Sequence, residues 1–204
     1  MSDNERISAN QVKELRDITG AGMMDCKRAL EDAVGDTEKA VRMLREKGLA
    51  RVKQRDDRVA EQGVIESYLH IGKQIGALVE LNCETDFVAR NEEFLELAHL
   101  VALQIAACNP GYLDRESVPG DVIDSKKEIY RELCVADGKR ENELDPVIEG
   151  MLDKFYQEVC LLEQPFVKDP SQSVGELLAQ TSAKVGEKLA IHRFNRFQVG
   201  EEQE

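Results

Sequence analysis

Apolar positions recur at helical spacing in three short sets between residues 8 and 47. Val12 and Leu15 mark the first. Cys26, Ala29, Leu30 and Ala33 fall at i, i+3, i+4 and i+7 and mark the second, and Ala40, Val41 and Leu44 mark the third. Thr19-Gly20-Ala21-Gly22 and Gly35-Asp36 separate the sets, and glycine tolerates the positive φ that ends helices. The pattern predicts a small three-helix bundle. A charged run over 47–58 follows, with Lys53, Arg55, Asp56, Asp57 and Arg58, and reads as a solvated helix extension or linker, because its aspartates oppose a phosphate-binding patch. The domain boundary is placed here, giving 1–55 for the bundle with its linker, 56–200 for a core, and 201–204 for an acidic tail expected to be disordered.

Beyond the boundary the period falls towards two. Residues 63–71 and 75–81 are β-rich runs separated by Gly72-Lys73-Gln74, a hairpin signal. The first alternates imperfectly; the second is more apolar and is expected to be the central strand. Asn91 is placed to cap a helix whose apolar face is Phe94, Leu97, Ala98, Val101, Ile105 and Cys108, stopping at Asn109-Pro110-Gly111. Its uncharged segment is too short to span a bilayer, so it is read as a buried core helix.

Over about 119–163 the steps return to three and four. Val122, Ile129, Leu133 and Ala136, then Leu144, Ile148, Met151, Phe155, Val159 and Leu162, flank a polar turn at Asp137-Gly138-Lys139-Arg140, which predicts an antiparallel helical hairpin with a coiled-coil-like seam. After Pro165 and Pro170, Val174, Leu177, Leu178 and Thr181 indicate another helix. Ile191, Phe194, Phe197 and Val199 indicate a last strand pairing with the hairpin sheet. The fold class is α+β: a three-helix bundle, then a core with a small antiparallel sheet and a helical hairpin.

Composition narrows the partners. A formal charge of -13 over 204 residues argues against direct binding of nucleic acid, whose phosphates demand clustered positive charge, and leaves a protein or a small molecule. The polar start MSDNERISAN has no apolar centre for a secretory signal, and no run of eighteen apolar residues occurs, so a soluble, cytoplasmic chain with no membrane association is expected. The five cysteines, Cys26, Cys83, Cys108, Cys134 and Cys160, are odd in number, widely spaced and without a CxxC pair, and read as reduced core residues.

Chemistry is hard to find. There is no GxxxxGK[ST], and Gly20-Ala21-Gly22 runs on into Met23, Met24 and Asp25 rather than completing GxGxxG. His70, His99 and His192 share no metal spacing, and His99 reads as structural on a core helix. Cys83 and His70 on neighbouring strands form a conceivable nucleophile pair, but a strand-interior cysteine is usually inert. No catalytic residue, metal or cofactor is assigned, and the chain does not read as an enzyme of covalent chemistry.

Two features are left over. Met23 and Met24 open the second helix, where only part of a first turn can face inward. They suit an adaptable protein-binding patch, or alternatively plug the bundle core. Asp86 and Phe87 stand at a strand-to-helix junction, where a ring is presented at little ordering cost, or else closes the core while Asp86 caps the helix.

Three stretches, TGAGMMDCKRAL at 19–30, NCETDFVAR at 82–90 and CLLEQPFVKDP at 160–170, together resemble bacterial translation elongation factor Ts. The resemblance implies a guanine-nucleotide exchange factor for elongation factor Tu in its GDP-bound and nucleotide-free states. It also implies a bundle similar to a ubiquitin-associated domain. Arg16, Met23 and Met24 match the positions by which the family's bundle docks on the partner. Thr85, Asp86 and Phe87, followed by Val88, match its TDF motif, whose ring wedges near the partner's magnesium site. The chain resembles short family members, with one hairpin before TDF, thought to complete the binding surface by pairing two copies. A homodimer is therefore expected, through the sheet, Cys83 or neighbouring apolar surface. The rival reading is a non-catalytic adaptor built on the same bundle.

Overall fold

A computed structural model describes residues 7–53, 55 and 57–201. The chain is mixed helix and sheet and divides into two compact units, one of Met1–Val64, Asn82–Leu97 and Leu178–Ala190, the other of Ile65–Leu81, Ala98–Leu177 and Ile191–Glu204.

In the first unit, α1 (Ala9–Thr19), α2 (Met23–Asp32) and α3 (Thr37–Lys53) pack around Leu15, Cys26, Leu30 and Ala40, all fully buried. Each buried leucine contributes about 1.5–3 kcal/mol. Ser8 opens α1 with a capping box to Gln11, and Gly20 closes it at φ 67°. Val34 and Gly35, at φ 54° and 83°, turn the chain into α3, where the Asp36 carboxylate accepts from the Lys39 amide at 3.0 Å. Helix α3 runs on to Lys53, so the start of the charged run is a helix extension. Asp56 of that run lies outside the described residues.

The second unit is built on a three-stranded sheet in the order β1 (Gln62–Leu69), β2 (Ile75–Cys83), β5 (Ala190–Gln198), with the apolar strand central as its composition required. Both pairings are antiparallel. His70 N–H donates to Ile75 across the hairpin, and Val199 N–H donates to Gln74 while Arg193 pairs with Glu80 at 2.7 Å. The inner face carries Ala77, Val79 and Leu81. There His99 of α5 (Glu92–Cys108) lies edge-on to Tyr68 and 3.5 Å from Glu66, the structural role its helix suggested. Ile65, Leu69, Leu78, Phe197 and Val199 are exposed on or beside the outer face.

Several sequence expectations are corrected. The last strand pairs with the hairpin sheet as expected, but along β5 the burial alternation slips by one between Ile191 and Phe194, so Phe197 faces outward and Arg196 takes an inner position. Its guanidinium donates to the Ala106 carbonyl of α5 at 3.2 Å, and its side chain is only 10% exposed. Cys108 is exposed, because it lies in the last turn of α5, past Ile105 and Ala106, before Asn109 ends the helix at φ 45°. Between α6 (Gly120–Ala136) and α7 (Glu141–Val159) the seam on α6 is Ile123, Tyr130 and Cys134, whereas Ile129 and Leu133 are exposed. The α7 side uses Leu144 and Ile148 as expected, with Leu152 added. The bulkier tyrosine turns the neighbouring stripe inward.

After α7, Gln164 and Gln104 hydrogen bond inside the unit at 3.1 Å. Two short strands, β3 (Pro165–Phe166) and β4 (Asp169–Ser173), form a pair that the prolines concealed. Helix α8 (Val174–Val185) follows as expected. Glu201, read as disordered tail, pairs with Arg196 at 3.1 Å; 202–204 lie outside the described residues. Cys83 is fully buried and therefore offers no contact to a second copy. No helix among the described residues is long and apolar enough to cross a membrane.

Candidate functional site

Strand β2 ends at Cys83, and two residues later Thr85 sits at φ -126°, ψ 157°, the extended conformation of a helix N-cap. One turn of helix, α4 (Asp86–Ala89), follows. Successive helical side chains point about 100° apart. Burying Val88 therefore turns Phe87 outward, where 82% of it is exposed. Val88 anchors the turn from inside; Phe87 is what the turn presents. The cap is Thr85 rather than Asp86: the Thr85 hydroxyl accepts from the Val88 amide at 3.4 Å. Asp86 pairs instead with Arg90 one turn on, at 3.0 Å, which partly offsets its charge.

The junction is held from below by carboxylates. Glu187, in the loop after α8, accepts from the Glu84 and Thr85 amides at 3.1 and 3.0 Å through Oε2, and from the Thr85 hydroxyl at 2.6 Å through Oε1. In return Glu84 accepts from the Lys188 amide at 2.6 Å and from the Arg58 guanidinium at 3.3 Å. The Lys188 amide, and after it Arg58, hold the Glu84 carboxyl below its ordinary range. The Cys83 thiol donates to the Thr85 carbonyl at 3.1 Å, and burial, reinforced by Glu187, pushes its pKa up to about 11. A thiol so held is no nucleophile. His70 meets Tyr68 at 3.3 Å.

At the α1–α2 corner the Thr19 hydroxyl donates to the Leu15 carbonyl at 2.7 Å and accepts from the Ala21 amide at 3.3 Å. Gly20 is required twice over: its φ is positive, and a Cβ there would stand 2.8 Å from Lys184 Cγ. With the corner fixed, Met23 and Met24 start α2 at 50% and 61% exposure, and Ile18 adds another exposed apolar group. Neither methionine plugs the core. Arg16 is exposed on the last turn of α1. Beside this corner a cavity of about 360 Å³ opens between Gly20, Gly22, Lys47, Ala183 and Lys184, with the Lys47–Asp25 pair at 2.9 Å in its wall.

Among the described residues no group of three or more His, Cys, Asp or Glu could hold a metal ion. What the site offers is presentation: an apolar ring on a braced turn, and a flexible thioether pair on a small bundle. Glu187, about a hundred residues from the motif it holds, carries no periodicity or spacing by which sequence reading could find it.

Comparison with known proteins places the chain in a family. The family model described as "Elongation factor TS" matches residues 4–201. Elongation factor Ts of Carboxydothermus hydrogenoformans is 53% identical over 195 residues, 96% of this chain and 90% of that one. The protein of the same name from Thermoanaerobacter sp. strain X514 is 51% identical over 96% of both chains. That of Thermodesulfovibrio yellowstonii is 50% identical over 198 residues, covering 97% of this chain and 98% of that one. At this identity over nearly the whole length, the chain belongs to the elongation factor Ts family.

Proposed function

We propose that the chain is a guanine-nucleotide exchange factor for elongation factor Tu, acting in the cytoplasm during protein synthesis, and that Phe87 is its acting group. The observation that carries this is the exposed ring on a braced junction. A phenylalanine left 82% exposed has no packing role in its own molecule, and the bracing beneath it limits the ordering cost of inserting it elsewhere. In the partner, magnesium bridges phosphate oxygens and protein ligands, so displacing the elements that hold it removes much of the nucleotide's affinity. Phe87 does the displacing, and Asp86 competes for the ion or its water shell to the extent that Arg90 leaves it free.

Residues 1–55 serve as a ubiquitin-associated-like docking domain in which Arg16, Met23 and Met24 touch the partner. Residues 56–200 form the exchange core, with a coiled-coil-like hairpin at 119–163. The outer sheet face, with Ile65, Leu69, Leu78 and Phe197, supports pairing of two copies, since so much exposed apolar surface on one face marks an interaction site. Sedimentation as a clean monomer would remove the pairing.

Linkage fixes the behaviour required. If the factor weakens GDP binding by some ratio, GDP weakens factor binding equally, each tenfold being about 1.4 kcal/mol. The test is release of a fluorescent GDP analogue from elongation factor Tu, with added GDP competing for the complex. Accelerated release together with ejection of the factor by GDP is expected. An unchanged release rate favours the adaptor.

A further inference from the structure

We infer that Glu187 is a positioning residue for exchange: with Glu84 it forms a reciprocal clasp that fixes the angle at which Phe87 leaves the molecule. The inference rests on the reading of Phe87 as the acting group. Glu187 takes the consecutive amides of Glu84 and Thr85 and the Thr85 hydroxyl, so one carboxylate fixes the entry into α4. Glu84 closes the clasp from the other side by taking the Lys188 amide, next in sequence to Glu187. The Glu187 carboxylate therefore holds the backbone of Glu84, and the Glu84 carboxylate that of Lys188.

The clasp is tied down at its far end. The Ser182 hydroxyl, on α8, donates to the Glu187 carbonyl at 2.5 Å, and the Ser182 carbonyl accepts from Arg55 at 3.1 Å, just past the end of α3. Arg55 thus places a positive charge at the C-terminal end of α8, where the helix dipole favours it. A continuous set of bonds runs from the linker of the bundle through Arg55, Ser182 and Glu187 to the cap of the turn that carries Phe87. Their effect on exchange is exerted through the placing of Phe87.

The test uses full-length chains in the GDP-release assay: native, Phe87→Ala, Glu187→Ala, the double variant and Glu187→Gln. Glu187→Ala should lower the maximal release rate on the order of tenfold, as misplacement of an acting group does, while the half-saturating concentration, set by the bundle surface, stays within about twofold. The double variant should be no slower than the slower single one, because the clasp has nothing to position without the ring. Glu187→Gln keeps one oxygen for the two amides and should recover most of the rate.

Full activity of Glu187→Ala, or a double variant whose defect is the product of the two, overturns the clasp and leaves the Phe87 reading standing. A Glu187→Ala chain that loses rate and affinity together, without recovery in Glu187→Gln, reports general damage and also overturns it. Phe87→Ala at the native rate removes the wedge reading itself, and the clasp with it.

Discussion

Replacing Thr85 by valine removes one oxygen and almost nothing else, since the side chain keeps its volume and its β-branch suits the extended backbone at this position. Two bonds go with that oxygen. The cap on the Val88 amide, at 3.4 Å, is long and stands at the low end of the 0.5–2 kcal/mol that caps contribute, about 0.5 kcal/mol. The bond to Glu187, at 2.6 Å, is charge-assisted; such bonds contribute about 1.5–3 kcal/mol, and exposure at the surface holds this one to the lower figure. Glu187 is not orphaned, because it keeps two amide donors.

The expected loss is therefore about 2 kcal/mol, which for a chain of this size lowers Tm by about 4–8 °C. Urea titration and thermal melting followed by circular dichroism measure it, with Thr85→Ser, which retains the hydroxyl, as the companion. Thr85→Val within about 0.5 kcal/mol of native, or Thr85→Ser as unstable as Thr85→Val, would show that the hydroxyl does not hold the bond to Glu187 assigned to it.

Met23→Ala and Met24→Ala should each raise the factor concentration for half-maximal GDP release several-fold and leave Tm unchanged, since both side chains are largely exposed; a lowered maximal rate at unchanged concentration would contradict their docking role. The folded pKa of Glu84 lies below its ordinary value of 4.5, so its stabilisation is complete above about 4.5 and is lost as pH falls through the lower folded value. The stability difference between native and Glu84→Gln chains should hold from neutral pH to about 5 and shrink below it; a difference constant into acid refutes the bonding assigned to this carboxylate. In the native chain iodoacetamide at pH 8 should label exposed Cys108 quickly and spare Cys83 until denaturant is added, and equal rates would contradict the burial of Cys83.

The helices of the bundle were legible because short apolar sets were punctuated by glycines whose positive φ the structure bears out at Gly20 and Gly35. The central place of β2 followed from its apolar run, and the exposure of a methionine from the geometry of a first helical turn. Other features depend on which of two similar candidates wins, and pattern alone cannot decide that. Thr85 and Asp86 are both capping residues; the extended backbone at Thr85 chooses. Ile129 and Tyr130 lie on adjacent stripes of α6, and the larger ring takes the seam. Arg196 is a charged residue between two phenylalanines, and its bond to the Ala106 carbonyl, which places it on the inner face, leaves no trace in the apolar pattern. Glu187 was beyond reach altogether, because a contact closed across the whole core leaves no local spacing.

The central claim is that an exposed, braced ring at position 87 loosens the nucleotide of a partner GTPase. Single-turnover release of fluorescent GDP from elongation factor Tu at saturating factor, native against Phe87→Ala, tests it most directly. Because the ring is 82% exposed, the variant should melt within about 0.5 kcal/mol of the native chain and bind with an unchanged half-saturating concentration, yet lose most of the acceleration. A Phe87→Ala chain that releases GDP as fast as the native one would contradict the account.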